Sequence, residues 1–542
     1  MLGNMMKRPL QIIDLLKFAA NRHPKQEIVT RRLEGDIHRY GYADCWQRSG
    51  QLAHALKKLG VEPGERVASL AWNTYRHMEL YYAVSGSGAV MHTVNPRLFG
   101  EQITWILNHA ESGWVFVDLS FIELLESIEA ELPKVKGYVV MTDKAHMPET
   151  KLSKVLCYEE LLSPEATDFD WPNVDEDSAA LLCYTSGTTG NPKGVLASHR
   201  AIVLHAQATV SADMLDLRSD TVLMPMVTMY HVAAWGAPYA GPLSGCKLVF
   251  TGDGTSGEAM ADLIRSEKVT VGLGVPTIWL TLHNYLSENK LDIPSLQRVC
   301  VGGAASPIGL VKTYDTQYDV YWQPIWGMTE TGPLVHSAPP QADIINRPKE
   351  EQYKLQTTAG RPVFGIEHRI VDAEDEPLPN NGETRGELQV RGHWIASQYF
   401  RNDDLSSFPD GWLATGDIAV IDAEGFMKVV DRKKDVIKSG GEWISSLDIE
   451  NIVSQHPAVN ESCVIGVNHP KWDERPLLLV VLNKGHRLSK EDIKNFLTGK
   501  IARWWMPNDV VFVDELPHTG TGKLLKNKLR EQYQNYLQEN QS

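Results

Sequence analysis

The eleven residues Tyr184-Thr-Ser-Gly-Thr-Thr-Gly-Asn-Pro-Lys-Gly194 are mostly hydroxyl side chains and glycines, with one lysine. Thr185, Ser186, Thr188 and Thr189 offer hydroxyl donors, Gly187, Gly190 and Gly194 let backbone N–H groups come close to an anion, and Lys193 adds a positive charge. That combination suits phosphate. A plain surface turn is the alternative, but turns seldom need four hydroxyls among six residues. The common P-loop has Ser or Thr directly after Gly-Lys, whereas here Lys193 follows Pro192 and precedes Gly194.

Such a loop must be held at a strand end in front of a helix. The apolar run 179–184 reads as a buried strand and 200–210 as a helix. Upstream, residues 11–150 alternate helical patterns such as 42–59 with short apolar runs such as 66–70 and 114–118, which predicts the α/β class. Gly252-Asp-Gly-Thr-Ser-Gly257 follows a strand candidate at 247–250, opens a helix and has dinucleotide-loop spacing. It lacks the acidic residue about 20 positions on that would hold a ribose, so a nicotinamide or flavin site is set aside. His231 and Trp235 lie four apart and would share a face if helical. Two readings stand for them, a core histidine beside a packing tryptophan and a pocket wall. Near the end come strand candidates at 463–467 and 477–482 and a helical pattern at 490–505. Gly520 and Gly522 then precede Lys523, which can project into a distant site.

The hydroxyl loop resembles the phosphate loop of the adenylate-forming superfamily, which includes acyl-CoA synthetases, luciferases and the adenylation domains of peptide synthetases. The resemblance runs over nearly the whole chain in ordered motifs. These are Gly302-Gly-Ala-Ala305, Trp326-Gly-Met-Thr-Glu-Thr-Gly332, Gly411-Trp-Leu-Ala-Thr-Gly-Asp417, Asp431-Arg-Lys-Lys-Asp435, Ser439-Gly-Gly-Glu442 and Leu516-Pro-His-Thr-Gly-Thr-Gly-Lys523. It implies a large N-terminal domain of α/β sheets with a β-rich subdomain (residues 1–433) and a small mobile α+β C-terminal domain (residues 434–542).

The resemblance also implies a site. Thr185, Ser186, Gly187, Thr188, Thr189, Gly190 and Lys193 would hold the phosphates of ATP. Gly303, Ala304, Trp326, Gly327 and Met328 would surround the adenine, with Trp326 in place of the more usual tyrosine: the stacking face is kept and the phenol lost. Thr329 would donate to phosphate and Glu330 would hold Mg²⁺. Asp417 would accept from the ribose hydroxyls, and Arg432 would contact ribose or phosphate. His231, Trp235, Gly302 and Pro333 would wall the acyl pocket. Lys434 would be the pivot, and Lys438, Ser439, Gly440, Gly441, Glu442 and Trp443 would line the coenzyme A channel. Lys523 matches the adenylation lysine. The activity implied is ATP-dependent formation of an acyl-adenylate and then of an acyl-CoA thioester, with a small-molecule acid, ATP, Mg²⁺ and coenzyme A as the ligands. Within the superfamily the chain resembles the 3-methylmercaptopropionate–CoA ligases and the short- and medium-chain fatty acyl-CoA synthetases.

Other activities of the superfamily fit less well. Peptide-synthetase relatives place an aspartate near His231 to pair an ammonium, and residues 224–243 contain no acid, so amino-acid activation is disfavoured. A luciferase-like oxygenase would use the same adenylate. An inactive binding protein is countered by the joint presence of Lys193, Glu330, Asp417, Arg432 and Lys523.

The whole chain is consistent with this reading. Its 542 residues exceed one compact core, so two or more domains are expected. A formal net charge of -15 argues against nonspecific nucleic-acid or anionic-membrane binding. From Arg432 onward sixteen basic residues meet fourteen acidic ones, so positive charge is concentrated in the last fifth. Six scattered cysteines form no Cys-x-x-Cys pair, which points away from zinc or a disulfide framework and toward a reducing cytoplasm. No window offers 18 consecutive apolar residues, so no membrane span is expected. Homodimers are common among the acyl-CoA synthetases resembled, so the resemblance allows a homodimer, although the sequence itself shows no interface.

Overall fold

The computed structural model describes residues 1, 3–185, 191–439, 442–518 and 524–539. Ser186, Gly187, Thr188, Thr189, Gly190, Gly440, Gly441 and Lys523, all expected in the site, lie outside the described residues. The chain divides into two compact units. The first holds Asn191–Glu367 and Arg391–Gly411 together with the chain before the hydroxyl loop, and the second holds His368–Val390 and the chain from Trp412 onward.

Among the described residues the first unit contains two large sheets. In the seven-stranded sheet the order is Val155–Cys157, Gly137–Val140, Trp114–Val117, Arg66–Leu70, Val90–Thr93, Ala179–Tyr184 and Gly194–Ser198. Every neighbour pair is parallel except the last, in which Tyr184 faces Gly194. The second sheet has nine strands with a parallel centre, Val222–Pro225, Lys247–Phe250, Val271–Gly274, Arg298–Val301 and Tyr321–Gly327, and antiparallel strands at both ends. The parallel strands are short apolar runs buried on both faces, as a helix-covered sheet requires.

The helix Tyr75–Gly86 is buried along its whole length, and it shares one core with the strand residues Met91, Phe116, Leu248 and Leu273 of the two sheets. Its buried charges are paired, Arg76 with Glu34 and Glu159 and Glu79 with Arg48. Surface helices follow the ordinary pattern: Gly257–Glu267 buries Met260, Leu263, Ile264 and Glu267, and its start is capped by the Ser256 hydroxyl accepting from the Ala259 N–H. Gly252, whose spacing resembled a dinucleotide loop, is explained by packing. Its φ is +59°, its N–H donates to the Asn73 carbonyl, and an added Cβ would sit 2.3 Å from the Arg31 carbonyl oxygen.

The smaller, C-terminal unit has a four-stranded sheet, Ile366–Val371, Gly386–Gly392, Leu413–Ile421 and Met427–Arg432, antiparallel along its last three strands, followed by a five-stranded sheet centred on Asp473–Leu482. The hairpin Val459–His469 with Asp473–Leu482 contributes Val464, Leu478 and Val480 to its core. The helix expected over 490–505 stops at Leu497, because Gly499 takes φ +77° and the chain re-enters only a short 3₁₀ turn at Arg503–Trp505. The architecture is α/β, with large sheets in the N-terminal part and a smaller C-terminal part. No described helix is long and apolar enough to cross a membrane.

Candidate active site

The hydroxyl loop leaves the last residue of the strand Ala179–Tyr184 and returns at Gly194–Ser198, so its base is a paired hairpin stem. The Thr185 N–H donates to the Lys193 carbonyl at 2.9 Å, and the Lys193 N–H donates to the Thr185 hydroxyl at 3.2 Å. The helix His199–Val210 follows at once, capped by Ser198 accepting from the Ala201 N–H. The expected strand and helix are present, but the strand Gly194–Ser198, not foreseen from the sequence, stands between the loop and the helix.

Lys193 is exposed, and its ammonium stands 4.6 Å from the ring centre of Tyr399. The Tyr399 phenol donates at 2.7 Å to the carboxylate of Glu330, which lies in the 3₁₀ turn Thr329–Thr331 and is 5% exposed. Burial, and then the Glu330 charge, hold the Tyr399 phenol far above its ordinary range, so it stays a donor. Tyr399 joins two of the expected site residues and was not singled out from the sequence.

Upstream of that turn, Trp326 is half-buried with its ring edge against His336. Gly302 is buried at the end of the strand Arg298–Val301, while Gly303 and Ala304 are exposed beside it. Downstream, Thr329, Gly332 and Pro333 line a cavity of about 30 Å³ with Cys183, Val195, Ala197, Ile202, His205, Val232, Ala233, Gly236 and Tyr239. Pro333 of the expected acyl wall is among these residues; His231, Trp235 and Gly302 are not.

The local backbone explains that outcome. His231 is extended (φ −120°, ψ 111°), and Val232, Ala233, Ala234 and Trp235 then take φ of 49°, 50°, 47° and 57°. Four successive non-glycine residues in the left-handed region cost on the order of 1–2 kcal/mol each. The spacing of four had implied a right-handed face; instead Val232 and Ala233 turn to the cavity and Trp235 is buried in the main core. Asn73 braces the approach to this turn. Its amide donates to the Pro225 and Val227 carbonyls at 2.9 and 2.8 Å, and its side-chain oxygen accepts from the Met229 N–H at 2.7 Å.

His205 is the polar ring of the cavity. Its Nε2 accepts from the Leu334 N–H at 3.0 Å, and burial pushes its pKa down to about 3, so it is neutral. The sequence signal for it is weak: a histidine on an otherwise apolar helix face of 199–210.

In the second unit, Asp417 and Arg432 are cross-strand partners, with Arg432 Nε 3.0 Å from the buried Asp417 carboxylate. Lys434 is exposed, and its neighbour Asp435 is paired with Arg530. Lys438 and Trp443 face each other across a short hairpin, whose paired ends are Ser439 and Glu442. Ser439 is buried and accepts from Arg475 at 3.1 Å, and the Lys438 N–H donates to Glu474 at 2.9 Å. A further cation, also not singled out, sits three residues after Lys523. Lys526 is 8% exposed, pairs with Glu450 at 2.8 Å and donates to the Ser446 hydroxyl at 2.6 Å, while Asp431 accepts from both the N–H and the hydroxyl of Ser446.

Mg²⁺ needs few protein ligands when phosphates supply the rest. The described residues contain no cluster of three or more His, Cys, Asp or Glu able to hold a metal alone, and Glu330 offers one buried, oriented carboxylate. That donor set fits Mg²⁺ bound together with a nucleotide.

Residues 16–400 match the AMP-binding enzyme family, and residues 448–523 match the AMP-binding enzyme C-terminal domain. A 3-methylmercaptopropionyl-CoA ligase of Ruegeria lacuscaerulensis is 45% identical over 537 residues, covering 99% of this chain and 100% of its own. A medium-chain-fatty-acid–CoA ligase of Ectopseudomonas oleovorans is 44% identical, covering 99% and 98%. Among solved structures, the anthranilate CoA ligase AuaEII in complex with anthranoyl-AMP superposes with a TM-score of 0.86 at 26% identity, covering 98% of this chain and 99% of that one.

Proposed function

We propose, for a chain that belongs to the AMP-binding enzyme family, activation of a short- to medium-chain carboxylic acid, with 3-methylmercaptopropionate as the first candidate. The reaction class is that of an AMP-forming acid–thiol ligase that uses ATP, Mg²⁺ and coenzyme A. A carboxylate is a poor electrophile and has no good leaving group. Its oxygen attacks the α-phosphorus of ATP, the bond to pyrophosphate breaks, and an acyl-adenylate results; the thiol sulfur of coenzyme A then attacks the acyl carbon and AMP leaves.

One observation carries the substrate reading. The turn that holds Glu330 also supplies Thr329 to the apolar cavity, as do Gly332 and Pro333 just after it, which supports a shared segment for the carboxylate proposed for the metal and the cavity proposed for the acyl chain. At about 30 Å³ the cavity admits one methylene, so it marks where an acyl chain would approach the Thr329–Glu330 turn, and the rest of the chain needs the wall to move aside. The pocket is small and its wall is apolar apart from His205 and hydroxyl-bearing residues, which favours a short chain and disfavours a charged one. A thioether and a methylene pack alike there, so sulfur itself is not recognised.

The roles follow. Thr185, Lys193 and the loop 186–190 hold the phosphates, Thr329 donates to the α-phosphate, Gly303, Ala304, Trp326, Gly327 and Met328 take the adenine, and Asp417 with Arg432 takes the ribose. Glu330 would hold Mg²⁺, which would supply charge neutralisation at the phosphates. Lys523 stabilises the charge that develops in the first step. The segment from residue 434 then turns about Lys434, and Lys438, Ser439, Gly440, Gly441, Glu442 and Trp443 line the thiol path. A cytoplasmic location is supported by six free, buried cysteines, and a homodimer is supported by the superfamily resemblance. The substrate test is kcat/KM for thioester formation from 3-methylmercaptopropionate and from straight-chain acids of three to twelve carbons. An optimum at 3-methylmercaptopropionate or between four and eight carbons is expected; an optimum at twelve, or at an aromatic acid included as a control, overturns the assignment.

A further inference from the structure

The segment Ala396–Phe400 touches two parts of the site at once. The Ala396 N–H donates to the Glu330 carbonyl at 2.8 Å, and the Phe400 N–H donates to the carbonyl of Gly194, the residue after Lys193, at 2.7 Å. Between these two anchors stands Tyr399, 6% exposed and packed edge-on to Phe408. Its hydroxyl donates to the Glu330 carboxylate at 2.7 Å, and its ring face lies 4.6 Å from the Lys193 ammonium. One side chain thus contacts both the carboxylate and the cation that the proposed chemistry places on the phosphates.

We propose that Tyr399 is a positioning residue that fixes the Glu330 carboxylate for the metal through its hydroxyl and sets Lys193 through its ring face. A carboxylate free to turn offers its oxygens in many directions, and a donor on one oxygen restricts that rotation, as partners of metal ligands commonly do. The ring acts on Lys193 differently: its quadrupole attracts the ammonium and limits the reach of a long, flexible stem. Neither part of Tyr399 touches the reacting atoms, so its effect runs through binding and order. The inference rests on the reading of Glu330 as the metal carboxylate.

The two functions separate by substitution. Tyr399→Phe removes one oxygen and keeps the ring, its packing against Phe408 and the face beneath Lys193. Tyr399→Leu removes both. The direct readout is Mn²⁺ affinity, by electron paramagnetic resonance, in the presence of a non-hydrolysable ATP analogue; Mg²⁺ dependence of acid-dependent pyrophosphate exchange is the kinetic one. Tyr399→Phe is expected to weaken Mn²⁺ ~10-fold, to raise the half-saturating Mg²⁺ by a similar factor, and to leave the KM for ATP at saturating Mg²⁺ within about twofold. Tyr399→Leu is expected to raise that KM as well. Glu330→Gln is the reference. If Glu330→Gln weakens Mn²⁺ and Tyr399→Phe binds it like the wild type, the positioning role falls and the metal reading stands. If neither variant changes Mn²⁺ affinity, the metal reading falls and the inference falls with it. A Tyr399→Leu enzyme with the ATP KM of Tyr399→Phe removes the Lys193 arm.

Discussion

Gly236 and His205 meet at the cavity proposed for the acyl chain, and changing either should move chain-length preference in opposite directions. Gly236 has φ +83°, and a Cβ there would lie 2.7 Å from His205 Cε1 and 3.0 Å from Nδ1. The imidazole is poorly placed to recede, since its Nε2 holds the Leu334 N–H and its ring edge meets Trp394. In Gly236→Ala the methyl and the imidazole cannot both keep their places, and alanine is strained at φ +83°, so the variant should lose stability as well as narrow a cavity of only about 30 Å³. Each buried methylene contributes ~0.8 kcal/mol, or roughly fourfold in kcat/KM at ~1.4 kcal/mol per factor of ten. Acids that extend past the blocked point should lose about fourfold per methylene relative to propionate. His205→Ala does the reverse: with room for two more methylenes, acids longer by two carbons should gain up to ~15-fold over propionate on the same ~0.8 kcal/mol scale. That variant leaves the Leu334 N–H unpaired and should lose ~1–3 kcal/mol of stability. The assay is kcat/KM for straight-chain acids of three to eight carbons, followed by pyrophosphate release, beside a melting curve. If both variants scale every acid by one common factor, the cavity does not hold the acyl chain.

Other consequences can be measured independently. Lys434→Pro fixes φ at the pivot and should leave pyrophosphate exchange within about threefold while thioester formation falls ~10²-fold or more, as expected for a blocked conformational step; equal losses in both half-reactions would remove the pivot. Burial pushes the Asp118 carboxyl up from 3.8 to about 7, against the Trp72 N–H that donates to it. The stability from its retained proton is complete below its ordinary value and is lost as the pH rises toward 7, at up to ~1.4 kcal/mol per unit. Asp118→Asn should therefore gain melting temperature over the wild type between pH 5 and pH 7, and a constant difference would contradict this. Lys526→Ala strands the buried Glu450 carboxylate and should cost ~3–5 kcal/mol, read by calorimetry and by faster hydrogen exchange at the Val464 N–H, which donates to Glu450; a loss under about 1 kcal/mol would mean the pair is replaceable by water.

Much of the frame was legible in the sequence because it depends on local signals. The strand Ala179–Tyr184 is an uninterrupted apolar run, and the helix after it starts at a serine cap. The central strands read correctly for the same reason, being short apolar runs buried on both faces. The lining of the proposed acyl cavity was harder to read, because the left-handed run Val232–Trp235 follows no side-chain period and is preceded by the brace from Asn73, about 150 residues away in sequence. Tyr399 and Lys526 were hidden for a related reason. Each is a polar residue in a polar stretch, the usual mark of a solvated surface, and only the tertiary fold buries the phenol beside Glu330 and the ammonium beside Glu450. The reading of 490–505 as one helix gave too little weight to Gly499, whose positive φ ends it.

The central claim is a two-step reaction in which a carboxylate is first adenylated with help from Lys523 and then passed to a thiol. A single-turnover experiment tests it directly: enzyme, ATP, Mg²⁺ and 3-methylmercaptopropionate are mixed without coenzyme A, quenched, and assayed for pyrophosphate and acyl-adenylate, and coenzyme A is added to a parallel sample. The account predicts about one equivalent of each product per active site before coenzyme A, conversion to thioester and AMP after it, and a first step slowed ~10²-fold or more in Lys523→Ala, with transfer from supplied acyl-adenylate largely kept. Release of ADP and phosphate, no pyrophosphate until coenzyme A is present, or an unslowed first step in Lys523→Ala would contradict it.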